Sequence, residues 1–95
     1  MPLDIQFKKS VDASHQGTMT VDLSGSLDSS TAPELERQLA PVLGTQVTHL
    51  VFDLAGLNFI SSAGLRVFAS ARKQLRERGG QTSFVRMQSQ IREVF

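Results

Sequence analysis

Ser61 and Ser62 are adjacent hydroxyls at the joint between the strongest strand pattern and the strongest helix pattern in the chain. Ahead of them, His49-Leu50-Val51-Phe52-Asp53-Leu54 is an apolar run of the length expected for a strand buried on both faces. After them, Leu65, Phe68, Ala69, Arg72 and Leu75 recur at the three- and four-residue spacing of a helix with one packed stripe. A serine at such a joint is expected to cap the helix, its hydroxyl oxygen accepting from the free N–H groups of the first turn. It is also exposed and stands at the positive end of the helix dipole, where an added phosphate meets backbone donors instead of repulsion. Plain capping and reversible phosphorylation therefore compete for the same two residues.

The second polar stretch is Gly25-Ser26-Leu27-Asp28-Ser29-Ser30-Thr31, which leads into Thr31-Ala32-Pro33-Glu34 with the spacing of a capping box. Asp28 and Thr31 read either as loop and cap residues or as part of a functional surface. The only imidazoles, His15 and His49, do not share a metal-ligand spacing. No Gly-x-Ser-x-Gly elbow surrounds the paired serines, so a hydrolase using Ser62 as nucleophile needs His15 or His49 delivered by the fold. There is no Gly-x-x-x-x-Gly-Lys phosphate loop. These residues point to binding rather than catalysis, with no cofactor and no metal expected.

The elements that must position these groups follow from periodicity. Leu3, Ile5 and Phe7 alternate with polar residues, as do Met19, Val21 and Leu23, and the two runs read as an antiparallel hairpin with a polar loop over residues 12 to 17. Leu35, Leu39 and Val42/Leu43 form the stripe of a helix whose end Pro41 should kink or shorten and Gly44 should stop. A buried strand over residues 47 to 54 is followed by a turn at Ala55-Gly56-Leu57-Asn58, then by the serine joint. The next helix runs from Ser62 to Gly79-Gly80, and residues 81 to 87 alternate weakly as a further strand. Residues 88 to 95 read as a short amphipathic segment with Ile91, Val94 and Phe95 on one side. Strand, helix, strand from residue 47 to residue 87 implies parallel pairing through a right-handed crossover. The expectation is one small α/β domain over residues 1–95, with a mixed sheet of about four strands and helices mainly on one face.

Ninety-five residues are enough to enclose one core but not two. With 40% apolar and 20% charged residues the chain is neither disordered nor membranous in composition. Ten basic against nine acidic side chains leave no concentrated basic face for nucleic acid. Arg72, Lys73, Arg76 and Arg78 do cluster, but at a helix end where cations favour the dipole, so a solvated helix end is expected there. Cysteine is absent, which excludes disulfides and thiol chemistry. The first residues lack a signal-peptide profile and no run is long enough to span a bilayer, which makes the cytoplasm the default location and membrane insertion unexpected.

Phe59-Ile60-Ser61-Ser62-Ala63-Gly64-Leu65-Arg66, preceded by Asp53-Leu54 and by Gly25-Ser26-Leu27-Asp28 with Thr31-Ala32, resembles the bacterial anti-sigma factor antagonists of the STAS family. The resemblance runs from about Leu3 to the end of the sequence, with both motifs in order. It implies a phosphorylation-switched module that binds a serine-kinase anti-sigma factor, frees a sigma factor and is reset by a serine phosphatase. It places the phospho-acceptor at Ser62. The family's aspartate falls on Ser61 and its second serine on Ala63, which makes Ser61 a rival acceptor. Asp28, Ser29, Thr31, Ser61, Ser62, Gly64, Leu65 and Arg66 would form the partner-binding surface, although Leu65 reads equally as core. Two other classes stay open at this point: a constitutive STAS interaction subunit of a transporter or lipid-transport complex, and a small-ligand or nucleotide site at the loop from Gly25 to Thr31. Family members usually continue through another short strand and a last helix, which these residues do not include. Ile91, Val94 and Phe95 would then lack part of their cover and favour self-association.

Overall fold

Alternation of apolar and polar residues builds a four-stranded sheet, and the helical stripes close one face of it. The computed structural model describes residues 3–9, 17–44 and 47–93. In chain order the elements are β1 (Leu3–Lys9), β2 (Thr18–Leu27), α1 (Ala32–Leu43), β3 (His49–Ile60), α2 (Ser62–Glu77), β4 (Gln81–Val85) and α3 (Ser89–Arg92). The spatial order is β1-β2-β3-β4. β1 and β2 are antiparallel, with Ile5 opposite Leu23 and Phe7 opposite Val21. β2–β3 and β3–β4 are parallel, each pair joined through a helix. The hairpin, the mixed sheet and the crossover order all match the expectation from sequence; of the hairpin loop, residues 12 to 16, with His15, lie outside the described residues.

Met19, Val21 and Leu23 of β2 and Leu50, Phe52 and Leu54 of β3 are buried beneath the helices. Leu35 and Leu39 of α1 and Val67, Phe68, Ala71 and Leu75 of α2 meet them in one cluster. Phe52, Phe68 and Phe84 bring β3, α2 and β4 together, with ring centroids 4.8–5.3 Å apart. The buried stripe of α2 is thus rotated from the one expected: Ala69 and Arg72 are exposed and Leu65 is half-buried. Any stripe centred on Phe68 fits a helical period, and only the direction of the sheet decides between the two flanks.

The largest departure concerns the strand ends. Residues 55 to 58 are not a turn; β3 runs through them to Ile60, and β2 runs through Gly25 and Ser26 to Leu27. From Asp53 to Ile60 β3 takes seven steps where β2 takes five from Asp22 to Leu27, the surplus absorbed at irregularities between Asp22 and Ser24 and between Gly25 and Ser26. Such bulges bend and twist a strand without ending it. Gly56 permits the first of them, since a Cβ there would lie 2.3 Å from Ser24 Oγ and 2.9 Å from Ser24 Cβ.

Pro41 sits inside α1 without ending it, and Gly44 follows as the C-cap. Arg78, expected to be a solvated cation, instead donates to the carbonyls of Leu43 and Val47, tying the end of α2 to the chain between α1 and β3. Its fork supplies donors for carbonyls that the end of α1 and the start of β3 leave open. Ile91 is 1% exposed and belongs to the core, which corrects the expectation that it forms part of an open apolar patch; Val94 and Phe95 lie outside the described residues. No helix among the described residues is long and apolar enough to cross a membrane.

Candidate functional site

The two polar motifs meet because β2 and β3 end together. Leu27 pairs with Ile60, and the Ser61 N–H donates to the Leu27 carbonyl at 2.9 Å, one step beyond the ladder. Asp28 and Ser61 are thereby the first residues past two adjacent parallel strands. Gly64 sets how closely the start of α2 sits on this seam. A Cβ at Gly64 would lie 2.6 Å from Leu27 Cγ, 2.8 Å from its Cδ2 and 3.0 Å from Ile60 Cγ1, so only glycine lets the first turn of α2 rest there.

Within the first loop, Asp28 Oδ1 accepts from the Ser30 N–H at 2.9 Å, the Ser30 hydroxyl at 2.7 Å and the Thr31 N–H at 3.1 Å. These bonds, that from the Ser30 hydroxyl first, hold the Asp28 carboxyl below its ordinary value. Thr31 Oγ1 accepts from the Asp28 N–H at 2.9 Å and donates to the Ser26 carbonyl at 2.8 Å. The expected capping box does not form. Thr31 is the N-cap of α1 but its hydroxyl closes the loop behind it, and Glu34 turns to Arg37 and Gln38, which pull its carboxyl down to about 2.

The serines divide their roles. Ser61 is the N-cap of α2, in extended geometry, but makes no side-chain cap bond. Its Oγ is buried and has no hydrogen-bond partner. The expected cap from the Ser61 hydroxyl is therefore corrected. Ser62 is the first residue of α2 and is exposed, next to first-turn N–H groups that the helix itself leaves free. No acidic residue stands in that first turn, so the helix start itself presents no carboxylate to an incoming anion.

Ser29, Ala63 and Arg66 line a shared groove of about 300 Å³ between α1 and α2, together with Ala32, Pro33 and Glu36. Asp28, Ser29, Thr31, Ser61, Ser62, Gly64 and Arg66 are thus brought to one end of the domain by the Leu27–Ile60 seam. Leu65 is half-buried against the core, so it serves packing as well as the surface. Sequence reasoning missed Phe59, at 52% the most exposed large apolar side chain among the described residues, three positions before Ser62. Its exposure follows from the second bulge, for which the one-dimensional pattern carries no signal.

His49 does not join this site. It opens β3 at the far end, where its Nε2 lies 2.8 Å from Ser83 Oγ. A nucleophile–base pair of Ser62 with His49 is therefore not formed. Among the described residues no group of three or more His, Asp or Glu is placed to hold a metal ion. Within the inner strand β3, Asp53 is only 9% exposed and receives the Arg86 guanidinium in an ion pair. Those bonds hold the Asp53 carboxyl below its ordinary value, with the Ala55 N–H assisting at 3.1 Å. Arg86 ends β4 in the left-handed region, φ 55°.

Comparison with known proteins gives the family and the fold. The STAS domain family model matches residues 10–95, which include both loops of the seam. The putative anti-sigma factor antagonist BtrV of Bordetella bronchiseptica is 38% identical over 79 residues, covering 83% of this chain and 68% of BtrV. The anti-sigma-F factor antagonist RsfB of Mycobacterium tuberculosis is 32% identical over 63 residues, covering 66% of this chain and 52%, about half, of RsfB. Among solved structures, the anti-sigma factor antagonist SpoIIAA in its unphosphorylated form superposes with a TM-score of 0.79 over 97% of this chain and 81% of SpoIIAA. At 19% identity that likeness speaks for the fold. With the family model spanning both loops and three of the four strands, the chain belongs to the STAS domain family.

Proposed function

We infer that this chain is an anti-sigma factor antagonist switched by phosphorylation of Ser62. The observation that carries the reading is the contrast at the start of α2: Ser62 is exposed at the first helical position, while the Ser61 hydroxyl is buried. A kinase reaches the first without disturbing the fold and the second only by opening it.

Unphosphorylated, the end of the domain that carries Asp28, Ser29, Thr31 and the start of α2 docks on a serine-kinase anti-sigma factor, which then releases its sigma factor. The partner supplies ATP and the phosphoryl-transfer machinery; this chain contributes a hydroxyl and a shaped surface, acts in the cytoplasm and catalyses nothing itself. Phosphorylation adds about −1.5 to −2 charges at a helix N-terminus that tolerates them. The docked interface does not, because an uncompensated charge in a desolvated contact costs about 3–5 kcal/mol. The complex then dissociates until a serine phosphatase removes the group.

Mass spectrometry with site mapping, after incubation with ATP and the cognate kinase-type anti-sigma factor, tests this. A single phosphate on Ser62, absent from Ser62→Ala while Ser62→Ala still binds the kinase, is the expected result. Ser62→Asp should bind more weakly. Phosphate on Ser61 overturns the assignment of Ser62 as the acceptor, and a stable complex with no phosphate transfer overturns the switch and leaves a constitutive interaction module.

A further inference from the structure

Four basic side chains have partners within the protein: Lys8 with Asp22, Arg37 with Glu34, Arg86 with Asp53, and Arg78 with two backbone carbonyls. Arg66, Arg72, Lys73, Arg76 and Arg92 have none among the described residues, and of these Arg72 and Arg76 stand one turn apart on α2, the spacing at which like charges repel, and share one concavity. The helix dipole accounts for Arg76, which is in the last turn. It does not account for Arg72, because that effect fades within a single turn.

Both arginines line one concavity of about 230 Å³ between α2 and β4, with Gly80, Gln81 and Thr82 completing the wall. Thr82 carries a buried hydroxyl with no hydrogen-bond partner. The backbone N–H groups of Gly80 and Gln81 are already engaged, by the carbonyls of Leu75 and Thr48. What the concavity offers a ligand is therefore the two guanidinium groups; the Thr82 hydroxyl is buried behind the wall, and the Gln81 side chain alternates to the other face of β4. No carboxylate lines it, and Glu77, next to Arg76 in sequence, is not part of the wall.

The geometry points to a binding site for a phosphate monoester, held by Arg72 and Arg76. Guanidinium forks match the paired oxygens of a phosphate, and two of them balance its dianion. No aromatic side chain lines the wall, so nothing there stacks a nucleobase, and the recognised part is the phosphate. Ser62 and Arg76 are fourteen residues apart on one helix, about 21 Å at 1.5 Å per residue, so this site is separate from the switch and independent of it.

The test is a titration followed by amide and arginine side-chain NMR, at constant ionic strength, with inorganic phosphate and with glycerol 3-phosphate. A parallel arm measures co-sedimentation with phosphatidylcholine vesicles containing phosphatidic acid. Saturable shifts at Gly80, Gln81 and Thr82 are expected, with the apparent Kd weakened about tenfold or more in R72Q and in R76Q. K73Q, which removes the same charge from the same helix outside the concavity, should bind as the parent does. Response to the soluble esters identifies a free ligand, and response to the vesicles alone identifies a lipid headgroup; either supports the site if the arginine variants lose it. No saturable response to any probe, or equal weakening in K73Q, overturns it.

Discussion

Replacing Gly64 with alanine puts a methyl group where Leu27 already is. Three heavy atoms lie within 3.0 Å of the new Cβ, and the nearest, Leu27 Cγ, belongs to a side chain with no exposed surface into which to swing. Overpacking a filled core costs about 1–3 kcal/mol, and two contacts below 3.0 Å place this case in the upper half of that range. A glycine-to-alanine change inside a helix returns about 1 kcal/mol through backbone entropy. The balance is a loss of about 1–2 kcal/mol, which in a domain of this size lowers Tm by about 4–16 °C. Thermal melts by circular dichroism measure it. The cause can be isolated by adding Leu27→Ala, which alone costs about 2–5 kcal/mol but removes the atoms that clash. In that background Gly64→Ala should turn from destabilising to neutral or stabilising, a coupling of about 1 kcal/mol or more. A Gly64→Ala variant with a raised Tm, or one that costs the same in both backgrounds, would refute the reasoning.

Ser61→Ala should leave stability unchanged or raise it by up to about 1 kcal/mol, because the hydroxyl it removes is buried and unpaired; a loss of the about 0.5–2 kcal/mol typical of a true N-cap, read from urea unfolding, would show that the cap forms after all. Thr31→Val removes both bonds that close the first loop and should cost about 1–3 kcal/mol by the same measurement, with no change expected if the loop is held by packing alone. Acid should destabilise the domain in part through Asp53. Its native carboxyl ionises below the ordinary 3.8, so its contribution is complete above that value and disappears as pH falls through the native one. The urea midpoint of Asp53→Asn should therefore fall less steeply than that of the parent below pH 4, and parallel curves would argue against the Arg86 pair as the cause.

The order of elements, the parallel pairing and the meeting of two serines with a helix start were legible because each rests on local periodicity. So was the identity of the two motif loops, because Asp28, Thr31, Ser62 and Gly64 keep their spacing in the chain. Other features depend on geometry that periodicity does not encode. Gly56 and Asn58 are turn formers, and a bulged strand and a turn use the same residue types. The Asp53–Arg86 pair and the Arg78 bonds span more than thirty residues each, and nothing near either partner announces the other. Whether a serine at a helix start caps depends on its rotamer, and Ser61 and Ser62 are identical to any rule that reads types alone.

The two bulges of β3 have a consequence for how this stretch tolerates change in length. A surface turn accepts an inserted or deleted residue, because only its own path alters. Here each residue between Asp53 and Ile60 sets the phase with which the chain leaves the sheet. Side chains in a strand point to opposite faces in succession, so removing one would exchange the inward Ile60 with the outward Phe59 and rotate everything downstream with them. Ser62 would then start its helix from the wrong side of the seam. Substitutions at the exposed Ala55 and Asn58 should be absorbed far more readily than any single deletion, and the strand works as a spacer whose length is counted to the residue.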